Sequence, residues 1–177
     1  MRSVEIFLIL AVTFLVAYSV IGSIRKTQAV SELSILTLGL ALTMEDSIIG
    51  KLIILSGITI FIIGRIDGDT ALLMMMGIIG LIMLCEETSM MMIYIGIEIV
   101  GLSFYILAAR ERKGAKGTEA GIKYFVLGAL SSGIMLMGIT MVYAEVGTTE
   151  LEMIEYGHRE LIIIGVLFKV GAAPFHI

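Results

Sequence analysis

Apolar residues in this chain run in long blocks, separated by short stretches that hold most of the charge. Six blocks stand clear, at roughly 4–23, 48–64, 70–85, 89–109, 119–143 and 160–177. A seventh, "SELSILTLGLALTM" at 31–44, is shorter and opens with the charged Glu32. A hydrocarbon layer of about 30 Å takes around 20 apolar residues as one helix, and fewer inside a bundle. Lone strands leave their backbone groups unsatisfied in lipid, so every block is expected to be helical.

Composition agrees with that solvent. Apolar residues make up 58% of the chain, mean hydropathy is +1.04, and only 16% of residues are charged. A soluble domain of this length carries roughly a quarter charged residues. The polar material here is too scarce to cover a water-facing surface. The expected fold is therefore all-α, a polytopic transmembrane bundle of about seven spans forming one domain over residues 1–177, with no soluble domain.

Several function classes fall away. Cys85 is the single cysteine, so the chain holds no internal disulfide and no multi-cysteine iron–sulfur or zinc site. Neither a Gly-x-Gly-x-x-Gly turn after a strand nor a P-loop is present, and no basic stripe suggests a nucleic-acid partner. The first block has only Arg2 before it and no small-residue cleavage site, which reads as a retained span.

Charge placement bears on the doubtful block at 31–44. Counting it as a span puts Arg25, Lys26, Arg65, Arg110, Arg112, Lys113 and Lys116 on one side, with Arg2, Lys51 and Arg159 on the other. Dropping it weakens that bias from 7:3 to 6:4. The positive-inside rule thus favours seven spans, the N-terminus outside and the "ARERKGAKG" loop inside. The acidic stretch 144–159 then lies outside. In the sixth span, Gly128 with Ser132 and Ala129 with Gly133 form two small-xxx-small pairs, a spacing that lets helices approach closely.

Ionisable residues at membrane depth are costly and face a cavity or a partner. Glu98 lies near the middle of the fifth span, and Lys169 about 14 Å into the seventh. Lys123 lies about one turn into the sixth. Glu98 shares its helical face with Gly101, Leu102 and Tyr105, whose hydroxyl can join a hydrogen-bond chain. Gly171 and Pro174 follow Lys169 and predict a helix break that frees backbone carbonyls beside it. Plainer roles exist for most of these, though Lys169 lies too deep for easy snorkelling. A lone buried carboxyl can stay protonated and hydrogen-bonded. Lys123 can snorkel to the interface and pair with Glu119 four residues earlier. His176, near a helix end, suits capping as well as relay. Glu98 and Lys169 taken together point to proton or cation transfer, with no redox chemistry in the chain itself.

The stretches "IYIGIEIVGLSFYILAARERKGAKGTEAGIKYFVLGALSSGIMLMGITMVYAEVGTTEL" and "GVLFKVGAAPFHI" carry a family resemblance. Residues 93–177 resemble the subunit 2 family of proton-pumping NADH:ubiquinone oxidoreductase, respiratory complex I. The resemblance implies that Glu98 and Lys169 form the entrance half of a proton channel, with Lys123 in a less defined role and His176 structural before it is a relay. It implies partners among the other membrane-arm subunits and lipids. It places NADH, FMN, the iron–sulfur clusters and ubiquinone on other subunits, with no cofactor in this chain. The expected location is the mitochondrial inner membrane, with the bacterial plasma membrane as the alternative.

The family pattern continues past Pro-Phe-His into Trp-x-Pro-Asp and a second, inverted five-helix repeat. Neither is in these 177 residues. The expectation is a split subunit, completed by a second polypeptide that meets Ile177. Two other readings compete: a subunit of a multisubunit cation/proton antiporter, and a non-pumping scaffold in the same complex.

Overall fold

A computed structural model of the chain describes residues 27–64, 66–86, 88–110, 115–152 and 159–171. These residues form six helices: α1 (Thr27–Met44), α2 (Ile48–Ile63), α3 (Gly68–Glu86), α4 (Met90–Ala108), α5 (Ala115–Val146) and α6 (Glu160–Val170). They correspond to the second through seventh blocks, with ends within four residues of the expected ones except at the C-terminal end of α6. The first block, 4–23, lies outside the described residues, as do Arg2, Pro174 and His176. Gly68–Cys85, Met90–Ala108 and Gly117–Val146 are long and apolar enough to cross a membrane. Val30–Met44 and Ile48–Ile63 are apolar but shorter.

The chain divides into two compact units, Met1–Glu86 and Glu87–Ile177. In the first, Val30, Leu38, Ala41, Ile54, Phe61, Ala71, Met75 and Ile82 make one core among α1, α2 and α3. Helix α2 buries Gly50, Ile54, Gly57 and Phe61, a spacing of three to four residues that marks one face. Its other faces expose Ile48, Ile49, Leu52, Ile62 and Ile63. Apolar side chains on every face are what a lipid-bathed helix requires. Buried hydroxyls in α1 turn back on their own helix: Ser34 donates to the Val30 carbonyl at 2.8 Å and Thr37 to the Ser34 carbonyl at 2.9 Å.

The α1–α2 link buries an acid that its loop position did not suggest. Glu45 is only 2% exposed. Its side chain lies over Gly50, where an added Cβ would come within 2.7 Å of the Glu45 carboxyl carbon. Ser47 caps α2 by accepting from the Gly50 amide at 3.3 Å.

In the second unit α5 packs against both α4 and α6. Its 32 residues run about 48 Å, longer than the expected 119–143, and Gly147 at φ 79° ends it. Met90, Met135, Ile139 and Val142 form the core, with Tyr94, Ile97, Val146 and Ile162 packed around it. Close approach comes from glycine. A Cβ on Gly138 would lie 2.7 Å from the Ile162 amide nitrogen, and one on Gly165 would lie 2.7 Å from Met135 Cβ and 3.0 Å from its Cα. A short clip ties the start of α4 to the segment after α5. The Met90 amide donates to Thr149, the Leu151 amide to Thr88, both at 2.7 Å, and the Ser89 and Thr149 hydroxyls meet at 3.1 Å.

Gly165→Val is therefore expected to force α6 away from Met135 and lower stability by about 1–3 kcal/mol, the usual cost of overpacking. Gly133, exposed with nothing within 4 Å of an added Cβ, is the control. Gly133→Ala should be neutral or stabilise by up to about 1 kcal/mol. Thermal unfolding in detergent separates the two.

Candidate functional site

Glu98 lies eight residues, or about 12 Å, from the start of α4, and Lys169 nine residues from the start of α6. Packing of α5 against both α4 and α6 brings the two helices to one place. The two side chains meet there. Lys169 Nζ donates to Glu98 Oε1 at 2.8 Å, with the lysine side chain 14% and the glutamate 24% exposed.

Two hydroxyls complete the cluster. Lys169 Nζ also donates to Tyr105 Oη at 3.2 Å and lies 5.8 Å from that ring's centroid. Ser132, from α5, donates to Glu98 Oε1 as well. Among the described residues, no hydrogen bond reaches Glu98 Oε2. The phenol sits in a slot made by two glycines on different helices. A Cβ on Gly101 would lie 3.0 Å from Tyr105 Oη and 3.4 Å from Lys169 Nζ, and one on Gly128 would collide with the Tyr105 hydroxyl. Tyr124 at 4.6 Å and Phe125 at 6.0 Å pack edge-on against the Tyr105 ring.

Helix termination places the ammonium further. Helix α6 ends at Gly171, at φ 69°, whose amide donates to the Phe168 and Leu167 carbonyls. Lys169 therefore stands in the last turn, where the partial negative charge of the helix end favours a cation. The described α6 is 11 residues, about 16 Å, too short to cross a hydrocarbon core of about 30 Å. Pro174 and His176, expected at the break, lie outside the described residues.

Of the residues singled out in the sequence, Glu98, Lys169, Tyr105, Gly101 and Gly171 thus belong to one locality. Leu102 does not: it is 48% exposed while Gly101 and Tyr105 are buried, because the inner face of α4 runs through positions three and seven after Glu98. Lys123 is held apart as well. It pairs with Glu119 at 2.6 Å on the exposed face of α5, both side chains about 60% exposed. Ser132 was legible only as a small residue. Its signal was a hydroxyl deep in an apolar helix, which needs a partner.

The arrangement suits reversible proton binding. Either charge alone is costly in this setting, and together they compensate each other. A proton added to the carboxyl removes that compensation and loosens the hold on Lys169. A change in protonation is thereby tied to a change in which groups touch.

Comparison with known proteins places this locality inside a family match. Residues 87–177, the second compact unit, match the family described as NADH:quinone oxidoreductase/Mrp antiporter, transmembrane. NADH-quinone oxidoreductase subunit N of Rhodobacter capsulatus is 38% identical over 125 residues, covering 64% of this chain and 26% of that protein. Subunit N of Paramagnetospirillum magneticum is 30% identical over 97% of this chain and 45% of its own length. Among solved structures, respiratory complex I from Thermus thermophilus with bound aureothin contains a chain similar in fold, with TM-score 0.80, 24% identity, 98% of this chain and 45% of that one. An archaeal membrane-bound sulfane sulfur reductase contains another, with TM-score 0.74, 16% identity, 99% of this chain and 46% of that one. The chain spans less than half the length of these curated relatives.

Breaking the pair from one side leaves an uncompensated buried group. Glu98→Gln and Lys169→Met are each expected to lower stability by about 3–5 kcal/mol, and the double variant by clearly less than the sum. A double-mutant cycle by thermal unfolding checks this. Additive losses would mean that the two side chains do not interact.

Proposed function

The chain belongs to the NADH:quinone oxidoreductase/Mrp antiporter transmembrane family, and from that premise we propose that it serves proton translocation as an antiporter-like membrane subunit of respiratory complex I. The observation that carries this reading is the 2.8 Å contact between Glu98, in the middle of α4, and Lys169, in the last turn of α6, within the family-matching unit. Glu98 takes up and releases the proton, and Lys169 responds to its charge. Together they make the entrance half of a proton path. Electron transfer from NADH to quinone takes place on other subunits and supplies the driving force.

In this reading Tyr105 steadies the ammonium, and the turn at Gly171, with Pro174 beyond it, exposes carbonyls beside it. Lys123, paired with Glu119 on α5, stays outside the pair and serves further along the path. His176 is structural. The partners are other membrane-arm subunits and lipids. Helices matching the rest of the relatives' length complete the path, carried by a second polypeptide or by further residues of the same one. Seven spans with the N-terminus outside put the Arg110–Lys116 loop on the side where protons enter. The membrane is an energy-converting one. The bacterial origin of the named relatives supports a bacterial plasma membrane over a mitochondrial inner membrane.

The same family description also names the Mrp antiporter, which fits the competing reading as an antiporter subunit. The subunit N relatives at 38% and 30% identity favour the quinone-linked complex. A scaffold that fills a helix position without pumping makes the opposite prediction about the pair. In the assembled complex, Glu98→Gln or Lys169→Met should slow NADH-driven proton uptake into sealed vesicles about tenfold, equivalent to about 1.4 kcal/mol on the barrier. Assembly of the complex should be retained. Normal proton uptake in both variants would sink the pumping role and leave the scaffold.

A further inference from the structure

The hydroxyl of Ser132 has two acceptors and one hydrogen. Its Oγ lies 2.8 Å from the Gly128 carbonyl one turn earlier in α5, and it also contacts Glu98 Oε1 on α4. Ser132 is 5% exposed. Lys169 donates to that same Oε1, so both donors converge on one oxygen of the carboxyl and leave Oε2 to the other side. Neighbouring Ser131, 1% exposed, provides the contrast. Its hydroxyl donates at 2.7 Å to the Gly128 carbonyl and reaches no other helix among the described contacts.

We propose that Ser132 is a positioning residue for proton transfer at Glu98: it pins Oε1, so that an incoming proton is taken up on Oε2. The inference rests on the reading of Glu98 as the proton carrier. In the step, a hydrated proton gives its hydrogen to Oε2. An O–H bond forms there, one O–H bond of the hydronium breaks, and its electron pair stays on the water. Nothing is oxidised or reduced. The neutral acid keeps Oε1 as an acceptor for Ser132, so the carboxyl holds its rotamer while its attraction for Lys169 falls. When the carboxyl does swing away, the Ser132 hydrogen turns to the Gly128 carbonyl. The hydroxyl is satisfied in both states, which keeps the two states close in energy.

The test uses the assembled complex in membranes and reads the infrared carbonyl band of protonated Glu98, identified by its loss in Glu98→Gln. Ser132→Ala should shift that band and slow coupled proton uptake roughly tenfold, the effect of losing one hydrogen bond to a charged group. Ser132→Thr, which keeps a hydroxyl, should restore both. Ser131→Ala should leave the band in place. An unmoved band in Ser132→Ala, no rescue by threonine, or an equal shift in Ser131→Ala each overturns the role of Ser132. Normal proton uptake in Glu98→Gln is a different failure, and it sinks the proton-carrier reading on which this one rests.

Discussion

An ammonium and a carboxylate held 2.8 Å apart between two apolar helices is the constraint on which the second unit is organised. Such a pair stabilises little by itself, because removing two charges from water costs about as much as their attraction returns. The surrounding packing must therefore supply the geometry. Helix α5 does most of this, since it touches both α4 and α6. Gly138 and Gly165 let the α6 and α5 backbones come close enough for Lys169 to reach across. The hydrogen-bonded clip at Ser89 and Thr149 sets the height of α4 against the segment that follows α5. A slip of one residue along α4 would move Glu98 about 1.5 Å and turn it about 100°. The turn carries the carboxyl off the face that meets Lys169.

The same logic explains where small residues stand. Gly101 and Gly128 serve less to bring helices together than to leave room for one phenol, whose hydroxyl then reaches Lys169. Tyr105 is 6% exposed and flanked edge-on by Tyr124 and Phe125, so its ring has little freedom to withdraw. The ammonium meets a carboxylate, a phenol oxygen and the carbonyl end of its own helix. Each contact is modest alone. Together they hold a cation where lipid would expel it.

Much of this was legible in the residue pattern, and the remainder was not for identifiable reasons. The six blocks among the described residues predicted helices well, because lipid leaves the backbone no other choice. The doubtful block at 31–44 proved helical from Thr27, with Glu32 exposed near its start. Glu98 and Lys169 stood out because a charge inside an apolar block is costly and calls for a partner. Tyr105 followed from helical spacing. Leu102 satisfied the same spacing rule yet faces outward, since three to four residues define a broad face and only packing selects the part used. Ser132 and Glu45 were hidden more deeply. A serine four residues from a glycine reads as close packing until the opposite helix is known. An acid in a three-residue link reads as exposed until the turn folds it over Gly50.

Burial alone does not distinguish the hydroxyls of this chain, but the direction of their hydrogen bonds does. Ser34, Thr37 and Ser131 are all buried, and each gives its hydrogen to a carbonyl three or four residues back on its own helix. That bond satisfies the hydroxyl locally and asks nothing of a neighbour. Ser132 has the same local acceptor within 2.8 Å and still contacts the carboxyl on another helix. A hydroxyl with no local alternative would resist losing its partner, since an unsatisfied buried donor costs about 1–3 kcal/mol. With the Gly128 carbonyl in reach, that cost vanishes. Glu98 thus meets a donor that has a second acceptor within its own helix.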